Sequence, residues 1–184
     1  MSNRPLCIDL FCGFGGWAAG FLDVGYRVIG YDIDPRCHLK YPGEFRLADV
    51  SKLNGADLES ARVIVASPPC TWFSLRRVAG RDVAKGMILV REAKRVIDQA
   101  KPDFWIIENV RGAYRAICSE LGPPIHSGVH NQAHWLWGKM PTTILPRIPK
   151  TAVSFGRGRK SDRAWTRSII PYPLARAIAE ACLP

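Results

Sequence analysis

The chain has no apolar run approaching the roughly 20 residues that a bilayer span requires, so no membrane-spanning segment is expected. Its opening residues, MSNRPLCIDLFCG, carry one basic residue and a brief apolar stretch, which predicts no secretory signal. The six cysteines (Cys7, Cys12, Cys37, Cys70, Cys118, Cys182) include no CxxC pair, so reduced thiols inside a cell are expected rather than a disulfide framework. Acidic residues are scarce: 16 Asp and Glu stand against 26 Lys and Arg, a net charge of +10. The imbalance is local. Lys139 to Arg176 holds nine basic residues against one acid, and Thr71 to Lys101 eight against three. Such a surface suits a polyanion, most simply nucleic acid, although a solubilising face carries the same charge.

What is present is an ordinary globular composition, 47% hydrophobic and 23% charged over 184 residues, enough for one domain with a real core. LCIDLF (6–11), YRVIGYDID (26–34), EFRLADV (44–50), ARVIVAS (61–67) and DFWIIENV (103–110) are short apolar runs that read as strands. GWAAGFLDVG (16–25) reads as a helix stopped by Gly25, and PRCHLKY begins with a proline suited to a first helical turn. Residues 82–100 place Val83, Met87, Val90, Ala93, Val96 and Ile97 on one helical face. Alternating strands and helices predict an α/β fold with a mostly parallel, doubly wound sheet. Beyond Val110 the alternation weakens: RGAYRAICSELG reads as a helix, HWLWG as a strand and PLARAIAEAC as a closing amphipathic helix. There is no internal repeat. The expectation is a single domain over 1–184 in which 139–170 form an irregular basic segment.

DLFCGFGGW puts Gly13, Gly15 and Gly16 between the first strand and its helix, where glycine lets a ligand approach the backbone. A tight structural turn uses the same residues. Asp32, at the end of the second strand, is 16 residues beyond Gly16, where an acid in a doubly wound sheet reaches ribose hydroxyls. No GK[ST] follows, which speaks against a triphosphate. Asp49 is either a contact for an adenine amine or a cap. VASPPCTWFS (65–74) presents Cys70 on a turn stiffened by two prolines, as a thiol meant to meet a ligand would be. Gly13 to Gly16, Asp32, Asp49, Cys70 and Glu108 all follow or end a predicted strand. Five elements thus direct polar or reactive groups to the rim where open α/β sheets bind ligands.

These residues resemble the DNA cytosine-5 methyltransferase family, as a small, phage-like member. DLFCGFGG resembles its first cofactor motif, SPPCTWFS its catalytic PPC motif, ENV at 108–110 its glutamate motif, and RSIIPYPLARAIAEA its closing motif. Order and spacing agree over residues 6–110. The resemblance implies a Rossmann-like class I S-adenosylmethionine-dependent methyltransferase. Cys70 would attack carbon 6 of cytosine, Glu108 would hold ring nitrogen 3 and the amino group, and Asn109 would position the strand end. S-adenosylmethionine would lie over the glycine turn with Asp32 on its ribose, bound by Phe11, Gly13, Gly15, Gly16, Asp32, Ile33, Asp49, Val50 and Pro69. Arg76, Arg77 and Arg81 fall where the family has a mobile DNA-closing loop; an exposed solubilising loop is the competing reading. DNA is the implied partner, in the cytoplasm of a bacterial or phage-infected cell, at the nucleoid.

Two departures stand out. Only residues 111–167 separate the glutamate motif from the closing motif, where the family carries a target-recognition domain. The QxRxR motif, which supplies an arginine to the cytosine, is replaced by HNQAHWLWG (130–138), making Gln132 or His134 the substitute candidates. Arg157, Arg159 and Arg163, with Lys160, Arg167 and Trp165, read as a reduced DNA-gripping segment or as a linker. A separate recognition subunit or a homodimer would supply the rest. His126, His130 and His134 recur every four residues but lack a carboxylate or cysteine pair, so no metal is expected. Rival readings keep the chemistry on RNA or a free cytosine nucleotide, or keep the fold as a non-catalytic DNA-binding remnant.

Overall fold

The computed structural model describes residues 4–58, 60–73, 82–128, 134–142 and 169–184. Apolar runs without alternation suit strands covered on both faces; four such runs, with a more exposed strand at the edge, form a parallel core. These are β1 (Leu6–Leu10), β2 (Arg27–Asp32), β3 (Glu44–Leu47), β4 (Ala61–Ala66) and β5 (Phe104–Asn109). With β6 (His126–Gly128) and β7 (His134–Lys139) they make one sheet in the order β3-β2-β1-β4-β5-β7-β6. The pairs from β3 through β5 are parallel, whereas β7 is antiparallel to both β5 and β6. The mostly parallel, doubly wound sheet expected from the sequence is therefore present.

Helices cover both faces. α1 (Gly16–Asp23) and α4 (Tyr172–Ala181) pack Trp17, Phe21, Leu174 and Ile178 on Cys7, Val28, Val63 and Ile106. α2 (Val83–Ala100) puts Ala93, Val96 and Ile97 on the opposite face, against Ile8, Ile64 and Ile107. α3 (Tyr114–Leu121) adds Ile117 to a third cluster with Phe73, Met87 and Trp137. α2 starts where Asp82 accepts from the Lys85 N–H, an N-cap of the ordinary kind. α4 comes close enough to α1 that a Cβ on Gly20 would lie 2.4 Å from the backbone nitrogen of Arg176. Gly20→Ala is expected to lower the unfolding free energy by about 1–3 kcal/mol, measured by urea denaturation, because backbone cannot yield as a side-chain tip can.

Three local expectations need correction. The third strand ends at Leu47 rather than at residue 50, because Asp49 caps a 3-10 turn over Val50–Lys52. The proline-led segment is a 3-10 turn, Pro35–Leu39, whose first N–H groups are served by Asp34. β6 was not expected: three residues, HSG, carry no hydrophobic pattern, and only pairing with β7 defines them.

Asp9 is the polar exception in the core. It is fully buried on β1, and its Oδ2 accepts from Tyr41 Oη at 3.2 Å while Oδ1 has no partner. Burial pushes its carboxyl well above the usual range, and Asp32 adds to the rise. The folded chain thus keeps a proton that the unfolded chain releases above about pH 4, so stability falls as pH rises through and beyond that point. Asp9→Asn removes this contribution: the difference in Tm between pH 5 and pH 8 should be smaller than in the parent, by thermal unfolding at both values.

Candidate active site

The carboxyl ends of β1, β2, β4 and β5 share one rim because these strands are parallel neighbours. After β1 the chain turns sharply: Phe11 has φ 56°, Gly13 φ 51° and Gly15 φ 85°. A left-handed Phe is uncommon and marks a backbone held by its surroundings. The Cys12 N–H donates to the Tyr31 carbonyl at 3.1 Å, and the Gly13 N–H to Asp32 Oδ2 at 2.9 Å. A Cβ on Gly15 would lie 2.3 Å from Pro42 Cδ, so both conformation and space require glycine there. Gly15 is also the N-cap of α1 and supplies no side-chain acceptor, which leaves the first-turn N–H groups for other partners.

Asp32 accepts a second backbone N–H, from Asp34 at 2.9 Å through Oδ1. One bond to each oxygen fixes the carboxylate while each keeps a lone pair for a ligand. Its neighbour Ile33 is 69% exposed, an apolar side chain left beside an acid. Asp49 Oδ1 accepts from both the N–H and the hydroxyl of Ser51, so the capping reading is realised and Oδ2 makes no bond in that cap. Those two bonds lower its carboxyl. Val50 is buried, in the core cluster on the α2 side of the sheet.

The turn carrying Cys70 is tied to three elements. The Ser67 N–H donates to the Leu10 carbonyl at 3.2 Å, continuing β1–β4 pairing. Trp17 Nε1 on α1 donates to Ser67 Oγ at 3.0 Å, and Asn109 Nδ2 on β5 donates to the Pro68 carbonyl at 2.9 Å. Asn109 Oδ1 accepts the Val110 N–H, so this buried side chain positions the two motifs relative to each other. Pro69 is exposed, with φ −48° and ψ 117°, and delivers Cys70 to the first position of a 3-10 turn closed by the Phe73 N–H on the Cys70 carbonyl. Phe73 is buried against Gly86 of α2 and anchors the far side. Cys70 itself is half-buried, unlike Cys7, Cys12, Cys37 and Cys182, which are buried.

Glu108 is the penultimate residue of β5, the strand beside the one that leads to Cys70. It is 7% exposed, and its Oε1 lies 2.8 Å from Nδ1 of His134, itself 6% exposed. The Cys70 thiol is pushed up by burial and, secondarily, by the Glu108 carboxylate. Cys70 follows β4 and Glu108 lies near the end of the adjacent β5, so both stand at the same rim. The imidazole beside Glu108 was among the candidates legible in HNQAHWLWG, but its partner was not. Gln132, Arg76, Arg77, Arg81, Arg157, Arg159, Lys160, Arg163, Trp165 and Arg167 lie outside the described residues, as does His130. His126 and His134 sit on paired strands, not on a helix.

This strand order, with a glycine turn after the first strand and an acid closing the second, defines the Rossmann-like class I fold of S-adenosylmethionine-dependent methyltransferases. The chain belongs to the C-5 cytosine-specific DNA methylase family, whose profile matches residues 6–116. It is 31% identical over 144 residues to the Type II methyltransferase M.AquIA of Picosynechococcus sp., covering 64% of this chain and 56% of that one. It is 29% identical over 124 residues to the Type II methyltransferase M.XorII of Xanthomonas oryzae pv. oryzae, covering 60% and 29%. Among solved structures it is similar to a prophage-encoded protein of E. coli described as a DNA modification methyltransferase, with TM-score 0.52 and 26% identity over 63% of this chain and 35% of that one. The chain spans between about a third and just over half the length of these relatives.

Proposed function

We propose that the protein transfers a methyl group from S-adenosylmethionine to carbon 5 of cytosine in DNA. The observation that carries this reading is the placement of Cys70, in the turn that follows β4, and of Glu108, near the end of the adjacent parallel β5, on the rim that also bears the glycine turn and Asp32. The residues at the cofactor end suit the ligand: Asp32 for ribose hydroxyls, Ile33 for an adenine face, and the first turn of α1 for a carboxylate. S-adenosylmethionine, when bound there, supplies an electrophilic methyl on a sulfonium.

The chain's own groups do the rest. The Cys70 thiolate adds to carbon 6 of cytosine, which makes carbon 5 an enamine carbon and therefore a nucleophile. Glu108 holds nitrogen 3 and the amino group, and a proton at nitrogen 3 absorbs the charge that the addition drives into the ring. Carbon 5 would take the methyl as the bond from the sulfonium to it breaks, leaving a neutral thioether; loss of the carbon 5 proton to water, and expulsion of Cys70 as thiolate while the nitrogen 3 proton returns to Glu108, then restore aromaticity. A cytosine inside a duplex is out of reach, so the base must be flipped out, at a cost of roughly a few kcal/mol.

Arg76, Arg77, Arg81, Arg157, Arg159 and Arg163 are assigned phosphate contacts on sequence alone, with a separate recognition subunit or a second copy of the chain as the partner that completes base-specific contact. No helix among the described residues is long and apolar enough to cross a membrane, and the cytoplasm of a bacterial or phage-infected cell is the assigned location. The test is transfer of labelled methyl from the cofactor to unmethylated DNA, mapped by position with bisulfite sequencing. Label at carbon 5 of cytosine in DNA is the expected result. Label only in RNA or free nucleotides, or cofactor binding without transfer, would overturn the assignment in favour of a different substrate or a non-catalytic remnant.

A further inference from the structure

A buried carboxylate is costly unless hydrogen-bonded. Glu108 meets that demand through a residue far along the chain, and the register explains how. β7 runs antiparallel to β5, with Glu108 opposite Leu136 and Asn109 opposite Trp135. His134, two residues before Leu136, shares its face of the sheet and is the diagonal neighbour of Glu108, within reach of long side chains. Because β7 is antiparallel, its first residue stands at the same rim as the last residues of β5. The 2.8 Å contact from Nδ1 therefore engages the carboxylate from the rim side. On the other side of β5 lies β4, the strand that leads to the turn bearing Cys70.

We propose that His134 is the positioning residue for Glu108, holding Oε1 so that Oε2 is the oxygen presented to the pyrimidine; this rests on the methyl-transfer reading above. A carboxylate free to rotate would offer either oxygen to nitrogen 3 and the amino group. One oxygen pinned by an imidazole N–H leaves a single orientation. An imidazole reaches one carboxylate oxygen through one ring nitrogen. His134 engages Oε1 alone, which leaves Oε2 for the base.

The test compares the parent protein with His134→Ala and His134→Gln. Steady-state kinetics of methyl transfer to DNA should show kcat falling about 10- to 100-fold in His134→Ala, as expected of a misplaced catalytic group, with KM for DNA changed less than about twofold. His134→Gln, whose amide N–H can donate to Oε1, should recover most of the loss. Independently of activity, the parent should show a slowly exchanging imidazole N–H proton by NMR that is lost in Glu108→Ala. Equal kcat in His134→Ala and parent would overturn the proposal while leaving the methyl-transfer reading intact. So would equal losses in the Ala and Gln variants, or an imidazole N–H signal indifferent to Glu108→Ala. Absence of transfer by the parent protein itself would overturn both readings. Should His134→Ala fail to fold, the Gln variant and the NMR signal still decide.

Discussion

Replacing Cys70 with alanine should lower methyl transfer to DNA by roughly 10^3-fold or more, the scale of losing a covalent nucleophile whose partners then act on nothing. Cofactor binding should be unchanged, since the glycine turn and Asp32 hold their geometry through β1 and β2 rather than through the thiol. An oligonucleotide with fluorine at carbon 5 of the target cytosine gives a second readout. Fluorine cannot leave as a proton, so a parent adduct should persist through denaturing electrophoresis, and Cys70→Ala should give none. Burial and the Glu108 charge both raise the Cys70 thiol. Less thiolate is therefore present at neutral pH than in an exposed cysteine, and the rate of transfer should climb as pH rises above neutral. A flat or falling profile across that range would contradict a thiolate-limited step.

Glu108→Gln should lower kcat by roughly 10^2- to 10^4-fold, the usual span for a positioned acid–base group. The amide can still hydrogen-bond the base but cannot exchange a proton with nitrogen 3. The same substitution should make Cys70 more reactive, not less, toward a small alkylating agent. Removing the carboxylate charge removes one of the two causes that raise the thiol. Iodoacetamide labelling of Cys70, followed by peptide mass spectrometry, should be faster in Glu108→Gln than in the parent at pH 7.5, and the thiolate limb of the pH profile should move to lower pH. Slower methylation with faster alkylation separates a chemical role for Glu108 from general loss of structure, which would expose Cys7, Cys12, Cys37 and Cys182 to the reagent as well.

The strands were legible wherever their hydrophobic runs are uninterrupted. β1, β2, β4 and β5 agree with the expected segments to within a residue or two. Such runs are buried on both faces and leave no competing pattern. The expectation failed where local side-chain chemistry wins over propensity. Asp49 ends β3 early by taking the Ser51 N–H, and Asp34 turns a proline-led helix into a 3-10 turn. β6 has too few residues to carry any pattern at all. Within the site, Cys70, Glu108, Asp32 and the three glycines could be named from their residue types and their places at strand ends. Asn109 could be expected to position the strand end, but not that it does so by donating to the Pro68 carbonyl 41 residues earlier. The bond from Trp17 to Ser67, which spans 50 residues, carried no signal.

By itself, then, the order of apolar runs, glycines, prolines and acids determined the parallel sheet, its rim and which candidate groups stand there, because each of those depends on neighbours within a few residues along the chain. Tertiary structure decided how the reactive groups are held: the antiparallel insertion of β7 that brings His134 to Glu108, the clasp of Asn109 on the proline turn, and the burial that raises Cys70. Those depend on strand register and on dielectric surroundings, which exist only once distant segments have packed.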